Sequence, residues 1–185
     1  MTPSQIPNAI TVVRMVVAFP LLWLLVQERF SGAFLLALVA GASDVVDGYL
    51  AKRYSWQSVL GGILDPIADK LLLTVCFLGL WWGGHVPGWL FAVVLARDVV
   101  IGVGAVAWWR VTGSIKPSPT GISKMTTLIQ LILVAMVMAQ LAGLDVPSGW
   151  VQPLLLVCAG LTVVSGIDYV VVYSLRALRA RRGKR

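Results

Sequence analysis

Asp44-Val45-Val46-Asp47-Gly48-Tyr49-Leu50-Ala51-Lys52, followed by Gly61, Asp65 and Asp69, is the stretch on which the fold turns. It holds four of the chain's eight acidic residues, and it interrupts two apolar runs, about 33–50 and about 60–82. Asp44, Asp47, Gly48 and Ala51 follow an i, i+3, i+4, i+7 pattern, and Gly61, Asp65 and Asp69 follow i, i+4, i+8. Each pattern occupies one face of a helix. A short turn around Tyr54–Gln57 makes the two helices antiparallel neighbours and brings four carboxylates together.

Working outward, four more apolar runs appear, at about 10–26, 89–109, 125–144 and 150–175. Of the 185 residues, 58% are hydrophobic and only 12% charged, and the mean hydropathy is +0.87. Soluble domains carry about a quarter charged residues, so this composition excludes a soluble domain, a disordered chain and a disulfide scaffold. A membrane-spanning helix takes about 20 apolar residues, so six would use about 120. The expected fold is all-α: one integral membrane domain over residues 1–185 with six transmembrane helices.

The 15 basic residues give a formal net charge of +7. Lys52, Arg53, Arg110, Lys116, Lys124 and the basic tail at about 176–185 fall on one set of loops and ends, whereas the other set holds only Arg29. The positive-inside rule then places both termini in the cytoplasm. The tail has no interleaved aromatic residues, so it reads as a topology anchor for anionic lipid and not as a nucleic-acid site. Cys76 and Cys158 lie inside apolar runs, as small buried hydrophobes do. The first apolar run carries Arg14 and no small-residue cleavage site, so no cleavable signal is expected.

An Asp at mid-bilayer costs about 2.5–3.5 kcal/mol, so four would cost about 10–14 kcal/mol unless cations compensate them. An all-oxygen donor set favours Mg²⁺, Mn²⁺ or Ca²⁺ over zinc. Gly48, Ala51 and Gly61 clear space beside the acids, and Lys52 and Arg53 put positive charge at the rim. Acids, metal, small residues and a basic rim suit a substrate that contains phosphate. The competing interpretations are a polar interior held by ion pairs and an acid-lined cation channel or transporter. Pro66, inside the third run, removes a backbone donor beside this site.

The stretch from Asp44 to Asp69 resembles the signature of the CDP-alcohol phosphotransferases, D-x-x-D-G-x-x-A-R, eight residues, G-x-x-x-D-x-x-x-D. Seven of its eight fixed positions match over 26 residues, and Lys52 stands where the family usually has Arg. An ammonium neutralises phosphate but lacks the planar bidentate grip of a guanidinium. Ile6-Pro7-Asn8-Ala9-Ile10-Thr11-Val12-Val13-Arg14 is similar to the family's first-helix start. Arg97-Asp98 and the run Ser123-Lys124-Met125-Thr126-Thr127-Leu128-Ile129-Gln130 are most similar to the cardiolipin synthases of this superfamily, with Thr126 in place of their Asn. Phosphatidylglycerophosphate synthases are closely similar overall.

The resemblance implies a six-helix membrane enzyme, usually a homodimer, whose active site opens to the cytoplasm, as in a bacterial inner membrane. It implies transfer of a phosphatidyl group from CDP-diacylglycerol to an alcohol, with release of CMP. The acceptor implied is phosphatidylglycerol, giving cardiolipin; the alternative is glycerol 3-phosphate. By the same resemblance Asp44, Asp47, Asp65 and Asp69 hold Mg²⁺ or Mn²⁺, and Asp69 is the general base. Asn8, Thr11, Gly48, Ala51, Lys52 and Gly61 are then expected around CDP-diacylglycerol. Arg97 and Lys124 are expected to bind the acceptor, with an ion pair the alternative for Arg97 and an interfacial position the alternative for Lys124.

Overall fold

The computed structural model of the protein describes residues 5–54, 61–112 and 120–182. Among them are six α-helices and no strand: α1 Gln5–Val26, α2 Phe30–Arg53, α3 Gly61–Trp82, α4 Gly88–Thr112, α5 Gly121–Leu141 and α6 Val151–Arg182. A 3-10 turn, Ser148–Trp150, leads into α6. Each helix covers one of the six apolar runs. The segments Ala9–Val26, Gly88–Trp108, Gly121–Leu141 and Val151–Val172 are long and apolar enough to cross a membrane. Of the six spans expected, these four meet that measure among the described residues. Helix α2 contributes a shorter apolar segment, Phe30–Asp44, and α3 has Asp65, Asp69 and Lys70 near its start. Large apolar side chains such as Val16, Phe19, Val103 and Val106 face outward. That inverts the pattern of a water-soluble surface.

One expectation changes at the C-terminus. The basic stretch is not a separate tail as far as Arg182, because α6 continues through it. Leu, Ala and Arg are strong helix formers, so the charges lie on the last turns of a helix.

The chain divides into two compact units, one of residues 1–86 with 134–146, the other of 87–133 with 147–185. In the first unit α1 packs on both α2 and α3. Thr11, Arg14, Ala18, Leu21 and Leu25 are all buried, at spacings of three and four residues that form one stripe along α1. The stripe is polar where it meets the acids and apolar beyond. Helices α1 and α3 run parallel in constant register: Thr11 meets Asp65, Arg14 meets Asp69 and Leu25 meets Gly79. Close approach at the last pair needs glycine, because a Cβ on residue 79 would lie 2.6 Å from Leu25 Cδ1 and 2.7 Å from its Cβ.

Helices α3 and α5 each end in a glycine with positive φ, Gly84 at 74° and Gly143 at 85°. The next amide reaches back five residues, from His85 to Leu80 and from Leu144 to Ala139. This closes the helix ends in the Schellman manner. At the end of α1, Glu28 takes the same left-handed position with φ 57°, and Arg29 N–H reaches Leu24 O at 2.9 Å.

In the second unit α4 packs on α6. Leu155, Cys158, Thr162, Ser165 and Tyr169 form the buried stripe of α6. The Tyr169 ring fills the space a Cβ on Gly104 would need, 2.6 Å away, and its hydroxyl donates to Ile101 O at 3.1 Å.

Candidate functional site

In the first unit, α1 supplies the groups that meet the acids. Thr11 Oγ1 donates to Asp65 Oδ1 at 2.6 Å. Arg14 Nη1 donates to Asp69 Oδ1 at 2.8 Å and makes a second ion pair with Asp44 Oδ1. The Arg14 side chain is 3% exposed, while those of Asp44 and Asp69 are 39% and 51% exposed. The cation is therefore enclosed, and the carboxylates open outward from it. Asp44 and Asp65 both lie close enough to Asp69 to interact with it electrostatically.

Three of the four expected acids thus share one neighbourhood. The side chains of Asp47, Asn8, Ala51 and Lys52 lie outside the described residues, although all four positions fall on helices. Gly48 is exposed on α2, and among the described residues a Cβ there would meet nothing within 4 Å. Gly61 is buried at the start of α3. The turn expected around Tyr54–Gln57 lies, beyond Tyr54, outside the described residues; among the described residues α1 packs on both α2 and α3.

Sequence reasoning left Arg14 out of the site. A signal was available, because an Arg amid apolar residues in a spanning helix pairs with an acid as a rule. Its place on the Thr11–Leu25 stripe pointed it inward.

The donor set suits a hard divalent cation. The groups are oxygen-only, and two carboxylates on different helices converge on a single nitrogen, which places their oxygens within two hydrogen-bond lengths of each other. Among the described residues no three acidic, His or Cys side chains already form a metal-holding group. Asp44 and Asp69 share Arg14, and Asp65 is held by Thr11.

The two residues expected at the acceptor lie in the second unit. Arg97 is buried. It pairs with Asp98 at 2.7 Å and donates to Ser123 Oγ at 2.6 Å and to Ser165 Oγ at 3.0 Å. These bonds tie α4, α5 and α6 together and support the ion-pair alternative for Arg97. Lys124 is exposed on the first turn of α5. Thr126, at the position of the subfamily's Asn, is buried, and its hydroxyl bonds to the carbonyls of Ile122 and Leu161. Gln130 Nε2 donates to Thr162 Oγ1 at 3.1 Å.

A family model described as CDP-alcohol phosphatidyltransferase matches residues 4–174. A cardiolipin synthase (CMP-forming) of Rattus norvegicus is 31% identical over 98% of this chain and 65% of its own length. A CDP-diacylglycerol–glycerol-3-phosphate 3-phosphatidyltransferase of Pseudomonas fluorescens is 33% identical over 90% of this chain and 88% of its own length. A chloroplastic protein of the latter name from Oryza sativa is 30% identical over 96% of this chain and 59% of its own. The chain spans about half to two thirds of the length of several such relatives, the human cardiolipin synthase at 50% among them.

Proposed function

The chain belongs to the CDP-alcohol phosphatidyltransferase family, and on that footing we propose that it transfers a phosphatidyl group from CDP-diacylglycerol to phosphatidylglycerol, forming cardiolipin and releasing CMP. The observation that carries the transferase chemistry is the convergence of Asp44, Asp65 and Asp69 in one neighbourhood at the family spacing. The choice of acceptor is supported by the Arg97-Asp98 and Ser123–Gln130 sequences and by relatives named cardiolipin synthase. Relatives named for glycerol 3-phosphate support the alternative acceptor equally by identity.

In this reading Asp44, Asp47, Asp65 and Asp69 hold Mg²⁺ or Mn²⁺. When bound, the metal supplies Lewis-acid stabilisation of charge on the diphosphate. Asp69, the more exposed of the two acids paired with Arg14, takes the proton from the acceptor hydroxyl. That hydroxyl oxygen attacks the β-phosphorus, and the bond to CMP breaks. Gly48 and Ala51 pack against the cytidine, with Asn8, Thr11 and Gly61 beside it, and Lys52 faces the phosphates. Lys124, on an exposed turn, meets the acceptor's phosphate. Arg97 holds three helices together and, through Ser123, fixes the start of α5 next to Lys124.

The same reading has six spans, both termini in the cytoplasm, a homodimer and a site facing the cytoplasm of a bacterial inner membrane. The basic residues on one set of loops support the orientation, and the four apolar helices support a membrane setting.

The test is to give purified protein CDP-diacylglycerol and a divalent metal, with each acceptor in turn, and to identify the lipid product. Cardiolipin with phosphatidylglycerol supports the proposal, and phosphatidylglycerophosphate with glycerol 3-phosphate selects the alternative. Ion flux in vesicles without CMP release would point to a channel. Asp69→Asn should abolish transfer while the protein still folds; retained turnover removes Asp69 from the role of base.

A further inference from the structure

Arg14 is placed as no passive ion pair needs to be. One of its nitrogens meets carboxylates from two different helices, Asp44 of α2 and Asp69 of α3. The guanidinium is enclosed, whereas both acids are half exposed. The same two carboxylates are among the groups that would hold a hard cation in the metal reading. A divalent ion on those carboxylates would lie within a few ångströms of the guanidinium, and two like charges at that distance weaken each other's hold on the oxygens they share.

We propose that Arg14 is a positioning residue: a tethered cation that holds Asp44 and Asp69 together before the divalent metal arrives and competes with it for their oxygens. The proposal rests on the metal reading above. It explains how two carboxylates on separate helices stay close without mutual repulsion driving them apart. Thr11, one turn earlier on the same stripe, keeps Asp65 in place without supplying charge. The site is thus pre-assembled by α1 and opened for ligation by exchange of one cation for another.

The experiment uses the full chain in detergent, without lipid substrate, and follows Mn²⁺ binding by electron paramagnetic resonance. Arg14→Gln removes the competitor and should bind Mn²⁺ about tenfold more tightly than wild type, within the usual range for coupling between two sites. A merely structural Arg14 gives the opposite result, since its loss would loosen the site and weaken binding. Equal or weaker binding by the variant overturns the proposal while leaving the metal reading intact. Absence of Mn²⁺ binding by both proteins overturns the metal reading and this proposal with it.

A second measurement needs no variant. Wild-type protein is treated with phenylglyoxal, and modification of Arg14 is read by peptide mass spectrometry with and without saturating Mn²⁺. Displacement of the guanidinium should raise labelling about fivefold, the lower end of the same coupling range. Unchanged labelling overturns the exchange.

Discussion

Gly79→Ala tests how α1 is held against α3. The added Cβ would lie 2.6 Å from Leu25 Cδ1, 2.7 Å from Leu25 Cβ and 3.2 Å from Leu25 Cγ. Ordinary carbon contacts are about 3.5–4.0 Å, so the helices must part locally by about 1 Å. A change of Leu25 rotamer does not relieve the clash, because its Cβ is fixed to the backbone. Overpacking of this kind costs about 1–3 kcal/mol, and a fixed Cβ contact belongs in the upper half of that range. The better helix propensity of Ala returns about 1 kcal/mol, leaving a net loss of about 1–2 kcal/mol. For a chain of this size the Tm should fall by about 2–8 °C, at about 2–4 °C per kcal/mol. Gly160→Ala is the control, because a Cβ there meets nothing within 4 Å. It gains only the propensity term, so its Tm should rise by about 2–4 °C. Thermal unfolding of both variants in detergent is the assay. A Gly79→Ala protein as stable as the Gly160→Ala protein would refute the reasoning that this contact sets the spacing of α1 and α3.

Arg97→Ala removes the cation 2.7 Å from Asp98, whose side chain is 14% exposed, and the bonds to Ser123 and Ser165, and should cost about 3–5 kcal/mol; thermal unfolding and yield of folded protein measure it. Arg97→Lys keeps the charge but not the fork that reaches Ser123 and Ser165 together, so it should fall between wild type and Ala in the same assay. Thr11→Val removes the hydroxyl from Asp65 and should lower stability by about 1–2 kcal/mol, the value of a hydrogen bond to a charged group that water partly replaces. Glu28→Gly relieves a left-handed residue at the end of α1 and should stabilise by about 1 kcal/mol, seen as a higher Tm.

The helices were legible because each is announced locally. Six apolar runs gave six helices, and the i, i+3, i+4 spacing of Asp44, Asp47 and Gly48 placed them on one face before any packing was known. The site was legible in part. Asp44 and Asp65 lie close enough to Asp69 to interact with it, while Asp47, Ala51 and Lys52 have side chains outside the described residues. The close approach of Gly79 to Leu25 was not legible, because the two lie 54 residues apart. Arg97 carried two interpretations in the sequence, and its bonds to Asp98, Ser123 and Ser165 favour the ion pair. Arg14 was visible as a charge in an apolar run, yet its partners were not.

The sequence alone determined an all-helical chain with helices apolar enough for a membrane, and a spacing of acids that matches the family signature. Both are properties of near neighbours, fixed by hydropathy and by 3.6 residues per turn. Only the tertiary structure decided that Arg14 of α1 pairs with these acids, because it lies 30 residues before Asp44 and 55 before Asp69. Local periodicity carries no information over such separations. The choice is made where burial of the α1 stripe and neutralisation of the carboxylates are satisfied by the same packing.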